Sequence, residues 1–179
     1  MKDLRNRLSK ARGAYTKLSR IWKSKEITKR TNLKLYKALV LSVLLYGSET
    51  WKMNKGDDKA IDIFHHKCLR RILKINWQDH ISNEEVLRRA KMEPLSREVK
   101  KRRWKMIGHV LRQDRESNCS IAMTWAPEGQ RKRGRPKTTW RRTVEQERNK
   151  MGWRSWDEAR IKAADRKEWK NLVMALCAT

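Results

Sequence analysis

Phenylalanine occurs once in these 179 residues, proline and cysteine three times each, and glycine seven times. Each scarcity excludes something. So few turn-forming residues, and no stretch that alternates with period two, argue against a sheet protein. Cys68, Cys119 and Cys177 are too few and too scattered for a disulfide frame, and a reducing intracellular compartment fits them. The opening MKDLRNRLSK contains no apolar run of signal-peptide length, so secretion is not expected. Leu35 to Tyr46 is the most apolar stretch, but Lys37 and Ser42 interrupt it. It is far shorter than the ~20 residues a membrane span needs, so it reads as a buried helix and no membrane partner is expected.

Negative charge is scarce too. Twenty Asp and Glu face 46 Lys and Arg, a formal net charge of +26. Such an excess repels itself in a compact state, and a polyanion is its natural neutraliser. The charge is uneven. Residues 1–55 hold 15 basic and 3 acidic residues, 56–91 hold 8 and 6, 92–150 hold 17 and 7, and 151–179 hold 6 and 4. Two basic blocks therefore alternate with two nearly neutral ones. The chain is still built to fold: 38% of it is hydrophobic, and nine Trp are spread along it.

What is present has helical period. Leu4, Leu8, Ala11, Tyr15, Leu18 and Trp22 form one stripe of a first helix. A second helix is predicted over 26–46, apolar on most sides near its end and stopped by Gly47. A third starts at Asp57 or Asp58, with a stripe from Ile61 to Leu73. Ser82 with Glu85 predicts a capping box for a short fourth helix, and Pro94 opens a fifth that runs to about Arg112. Residues 113–135 read as looser. Thr138 to Met151 and Ser155 to Cys177 are the last two predicted helices, with Ile161, Ala164, Trp169, Leu172, Val173 and Leu176 as the final apolar face. The expected fold is all-α: a helical bundle over 1–76, then a second small helical subdomain over 77–179, joined through a basic loop.

Two segments carry chemistry. Arg131 to Arg142 holds seven basic residues and no acid: Arg131, Lys132, Arg133, Arg135, Lys137, Arg141 and Arg142. Gly134 lets the backbone lie close to a groove floor, and Pro136 keeps Arg135 extended. Lys132 to Lys137 looks like the core of an AT-hook, which spreads two Arg along a narrow A·T minor groove. Short basic motifs have many false positives, so a basic loop on phosphate or a nuclear import signal is the favoured reading over minor-groove insertion. The second segment, Arg97 to Lys105, sets six bases, among them Lys100, Lys101, Arg102 and Arg103, against Glu98. Phosphate contact is favoured over a merely solvated face. In the first block, Lys10, Arg12, Lys17, Arg20 and Lys23 are further candidates. Any of the nine Trp could stack on a base, but Trp104, Trp140 and Trp169 lie in apolar stripes and are assigned to the core.

Catalysis and metal binding find no support. Asp57 and Asp58 sit in the polar context Asn54-Lys55-Gly56, not in an apolar strand turn with a third carboxylate. An N-cap at a favourable dipole accounts for them. His65, His66 and Cys68 lack a second close pair for zinc. No catalytic residue, metal or cofactor is expected.

Five ordered stretches then add up: Lys10 to Ala14; Leu41 to Trp51 (LSVLLYGSETW); Lys67 to Leu73; Arg103 to Arg112; and Lys132 to Arg142. In this order and spacing the chain resembles the C-terminal part of non-LTR (LINE-type) retrotransposon endonuclease–reverse transcriptases, over nearly its whole length. The resemblance implies that residues 1–76 match the thumb, which grips the template–primer duplex. It implies that 77–179 match a C-terminal extension that holds element RNA or target DNA. The polymerase palm, a partner in the parent protein, and the endonuclease would lie upstream of Met1. The expected partners are RNA, RNA–DNA hybrid or duplex DNA, and the expected location is the nucleus, with the cytoplasm as a second location. Some relatives carry a zinc knuckle near the C-terminus; its Cys and His spacing is missing here. Two other readings stand beside this one: a free-standing A·T-rich DNA-binding protein, and an inert retrotransposon remnant.

Overall fold

A computed structural model describes residues 2–125 and 139–178. Among them every regular element is helical and none is a strand, so the all-α expectation holds. The chain forms two compact units: Met1–Ser48 with Lys55–Val99, and Glu49–Asn54 with Lys100–Thr179.

In the first unit, α1 (Lys2–Lys17) and α2 (Ser19–Lys23) carry the predicted stripe inward: Leu4, Leu8, Ala11, Tyr15 and Trp22 are buried. The predicted second helix is divided. It comprises α3 (Lys29–Leu35), a π-helical segment (Tyr36–Leu41) and α4 (Ser42–Leu44). Thr28 caps α3 by accepting from the Thr31 N–H at 3.1 Å. The wider π turn lets residues five apart share a face, and Tyr36 and Leu41 are both buried. Gly47 ends the run at φ +69°, a conformation that glycine adopts without strain.

Helix α5 (Lys55–Leu73) buries Ile61, Phe64, Cys68, Leu69, Ile72 and Leu73. It starts earlier than expected, so Asp57 and Asp58 lie in its first turn instead of capping it. Their negative charge there meets the positive end of the helix dipole. Ser82 caps α6 (Asn83–Ala90) through the Glu85 N–H at 3.2 Å. The Glu85 carboxylate is taken by Arg88 and Arg89, at 2.6 and 2.7 Å.

Helix α7 (Leu95–Leu111) begins in the first unit and continues into the second. The second unit adds α8 (Asn118–Thr124), α9 (Trp140–Lys150), α10 (Trp156–Ala164) and α11 (Arg166–Ala178). Helix α8 falls inside the stretch that reads as loose in the sequence, capped by Ser117 through the Ser120 N–H. The predicted helix from Ser155 is broken at Asp165, which is extended (φ −85°, ψ 113°). Its carboxylate accepts from the N–H groups of Lys167 and Glu168 at 2.7 and 3.2 Å, starting α11 afresh. The break resets the helical phase. Ile161, expected in the core, is 74% exposed, while Ala159 and Ala163 are buried. The core of this unit centres on three indoles: Trp104, Trp153 and Trp169, with ring centroids 5.3–5.9 Å apart. Edge-to-face and offset packing at such distances contributes about 0.5–1.5 kcal/mol per pair beyond area burial.

Candidate nucleic-acid interface

Helix α7 is basic along one side and apolar along the other. Lys101, Lys105 and His109 follow one another at four residues, with Arg102 and Arg112 alongside, so they share a face. Trp104, Ile107 and Leu111 occupy the buried side. Helix α11 brings Arg166 and Lys170 opposite. Together these residues line a groove of about 890 Å³, floored by Met106, Trp169, Val173 and Met174, with Glu49 as its one carboxylate among the described residues. Six Lys and Arg against one acid make this concavity strongly positive. Low-dielectric walls focus such a field, so a polyanion is drawn into it.

The first unit has a groove of the same character, about 640 Å³ in volume. Lys29, Arg30, Lys34 and Lys37 come from α3 and the start of the π segment, Arg89 and Lys91 from the end of α6. Leu33, Leu73, Ile75 and Ala90 form its apolar lining. No acid lines it. Glu85 answers two guanidinium groups at once, and its carboxyl is pulled down to about 2, first by the hydrogen bond from Arg88 and then by that from Arg89. One carboxylate against two Arg leaves positive charge over.

The residues singled out from sequence fare differently. Lys101 and Arg102 line the second unit's groove. Lys100 points elsewhere, donating from Nζ to the Leu176 carbonyl at 3.0 Å near the end of α11. Arg103 is 1% exposed. Its Nη1 donates to Glu147 Oε1 at 2.6 Å and its Nη2 to the Trp51 carbonyl at 3.1 Å. The second oxygen of Glu147 accepts from Trp104 Nε1 at 2.7 Å. Arg103 is thus an interior ion-pair partner, and phosphate does not reach it in this arrangement. Arg141 and Arg142 are half-buried at the start of α9. Arg141 donates to Glu145 and to the Trp125 carbonyl, both at 3.1 Å. Lys10, Arg12, Lys17, Arg20 and Lys23 are exposed on α1 and α2 and are not part of either groove lining. Arg131, Lys132, Arg133, Arg135 and Lys137, with the AT-hook-like core, lie outside the described residues.

Sequence reasoning missed the first unit's groove. A signal was present: between Glu26 and Glu49 the chain carries four bases and no acid, at 29, 30, 34 and 37. Their spacing puts three of them on successive turns. Arg89 and Lys91 join only through the packing of α6 on α5, which no local pattern reports.

The titratable groups of the first unit's interior belong to its core. Tyr36 Oη and His65 Nδ1 lie 3.0 Å apart, and Tyr15 Oη donates to the Cys68 carbonyl at 3.4 Å. Burial, then the neighbouring His66, pushes His65 down to about 3, so its ring is neutral at physiological pH. Burial also pushes the Cys68 thiol up to about 12. A neutral imidazole and a protonated thiol are packing groups here. Among the described residues, no three His, Cys, Asp or Glu side chains gather in a way that could hold a metal ion.

The chain is 28% identical over 155 residues to a transposon-derived protein of Caenorhabditis elegans. The match takes in 81% of this chain but 54% of that protein, so the chain spans about half the length of the relative. The similarity is consistent with a transposon origin. No family model matches the chain. No solved structure matches it either.

Proposed function

We propose that this chain is a noncatalytic nucleic-acid-binding region from the C-terminal part of a non-LTR retrotransposon reverse transcriptase. It holds RNA, RNA–DNA hybrid or target DNA for an upstream polymerase palm, and acts in the nucleus. The observation that carries this reading is the groove between α7 and α11, where Lys101, Arg102, Lys105, Arg112, Arg166 and Lys170 meet one carboxylate among the described residues. The similarity to a transposon-derived protein and the five ordered stretches support the parentage. The chemistry required is charge neutralisation, not bond making. Each phosphate that meets a lysine or arginine releases condensed counterions, and that release drives binding without reading sequence.

A second reading rests on Arg133-Gly134-Arg135-Pro136, which fits insertion into an A·T minor groove. Equilibrium binding separates the two. The first predicts affinity for RNA and RNA–DNA hybrid with a steep salt dependence and little sequence preference. The second predicts a clear preference for A·T-rich duplex that is lost when Arg133 and Arg135 are both changed to Ala. A chain that binds none of these at moderate salt defeats both readings and leaves the inert remnant.

A further inference from the structure

Trp77 is 81% exposed, the most exposed of the large apolar side chains among the described residues. An indole is costly to keep in water, and a surface turn accepts any polar residue in its place. This one is held out on a braced turn. The 3₁₀ segment Trp77–Asp79 is closed by a reciprocal cap in which Asp79 Oδ2 accepts from the Asn76 N–H at 2.7 Å and Asn76 accepts from the Asp79 N–H. Upstream, the Ile75 N–H returns to the Arg70 carbonyl at 2.9 Å. Downstream, Arg70 Nη2 donates to the Ile81 carbonyl at 2.7 Å and to Asn83 Oδ1 at 3.0 Å. The chain on either side of Trp77 is therefore tied to the end of α5.

The first unit's basic groove comes close along the chain, although Trp77 is not one of its lining residues. Ile75 is part of that groove's lining, and Trp77 follows two residues later, its Cα within roughly 7 Å of the Ile75 Cα. Six cations and an exposed aromatic face are the two components that single-stranded nucleic-acid sites combine. The cations track the sugar–phosphate backbone; the ring takes a base. A base within a duplex already stacks on both neighbours and offers no free face, so the ring selects an unpaired one.

We propose that this unit binds single-stranded nucleic acid, with the backbone along Lys29, Arg30, Lys34, Lys37, Arg89 and Lys91 and one unpaired base stacked on Trp77. The inference rests on the nucleic-acid-binding reading and adds to it the strandedness of the partner and a residue that senses it. A single strand next to a duplex is what a template presents at the point where it leaves or enters a hybrid.

The test uses the full chain and a labelled 12-nucleotide single strand of mixed sequence, the same strand annealed to its complement, and the same strand with abasic sites. Trp77→Ala lowers single-strand affinity about 5- to 150-fold, the range of one lost aromatic–base stack. Trp77→Phe recovers most of that loss, and duplex affinity stays within about twofold for both variants. The abasic strand binds the unsubstituted chain about as weakly as the intact strand binds Trp77→Ala. Thermal unfolding is unchanged, because the side chain is solvent-exposed. An unaltered single-strand affinity for Trp77→Ala overturns the proposal, as does an equal loss on single strand and duplex, or a Trp77→Phe variant no better than Ala. If the unsubstituted chain binds neither strand, the nucleic-acid reading falls together with this one. If it binds and Trp77→Ala has no effect, only the stacking falls.

Discussion

Gly108 lies directly beneath the indole of Trp169. A Cβ at position 108 would overlap the indole nitrogen and stand 2.6 and 2.7 Å from Cε2 and Cδ1. That nitrogen donates to the Trp104 carbonyl at 3.1 Å, on the same α7 backbone. The missing side chain of one residue thus allows α11 to approach α7, and that approach brings Arg166 and Lys170 to the groove.

Two effects compete when Gly108 becomes Ala. Alanine gains about 1 kcal/mol in a helix interior. Overpacking a rigid core costs about 1–3 kcal/mol or more, and here the obstacle is a buried indole with a fixed hydrogen bond. The steric effect wins. With three indole atoms within 2.7 Å of the added carbon, the steric cost lies at the upper end of its range, and Gly108→Ala lowers the unfolding free energy by about 2 kcal/mol in denaturant titrations. An unchanged or raised stability contradicts the packing described.

The basic residues of α7 separate into two kinds under mutation. Arg103→Met leaves the partly buried Glu147, its side chain 13% exposed, without its cation, which costs up to about 3 kcal/mol, the low end of the range for breaking a buried pair. Lys105→Ala removes an exposed charge from the groove and changes stability by less than about 0.5 kcal/mol. Chemical denaturation ranks the two variants. Equal stabilities contradict the burial of Arg103.

Acid weakens the first unit through His65. Its folded pKa is depressed to about 3, well below the unfolded value, so the unfolded chain takes up a proton that the folded chain refuses. Stability from this group is fully present above about pH 6.5 and is lost as pH falls towards 3. The size is on the order of a few kcal/mol. Stability measured from pH 7 to pH 4 falls steeply in the unsubstituted chain. His65→Gln starts lower at pH 7, because the contact with Tyr36 changes, and loses less over the same range. An equal pH slope in both proteins removes His65 as the cause.

Much of the fold is legible in the residues. The stripe Leu4 to Trp22, the run from Ile61 to Leu73 and the cap at Ser82 report their helices because local period and local hydrogen bonding decide them. Asp165 was hidden because an aspartate inside an apolar period looks like a solvated helix residue until its carboxylate turns back to two N–H groups. Half of the α7 face was legible through Lys101 and Arg102. Arg103 was not, although it stands four residues before Ile107 and so on the buried stripe. Its type pointed outward while its position pointed inward, and Glu147, 44 residues away, decided the matter. Arg166 and Lys170 enter the groove only because Gly108 admits Trp169, a relationship that no local window contains.

The central claim is that phosphate is neutralised in the groove between α7 and α11. The direct measurement is the salt dependence of affinity for a nucleic-acid duplex, taken for the unsubstituted chain and for Lys105→Ala combined with Lys170→Ala. Each lost phosphate contact lowers the slope of log K against log salt by roughly 0.9 on B-form DNA, so the double variant should have a slope shallower by about 2, with weaker binding at low salt and unchanged folding stability. The same slope and the same affinity in both proteins would contradict the account.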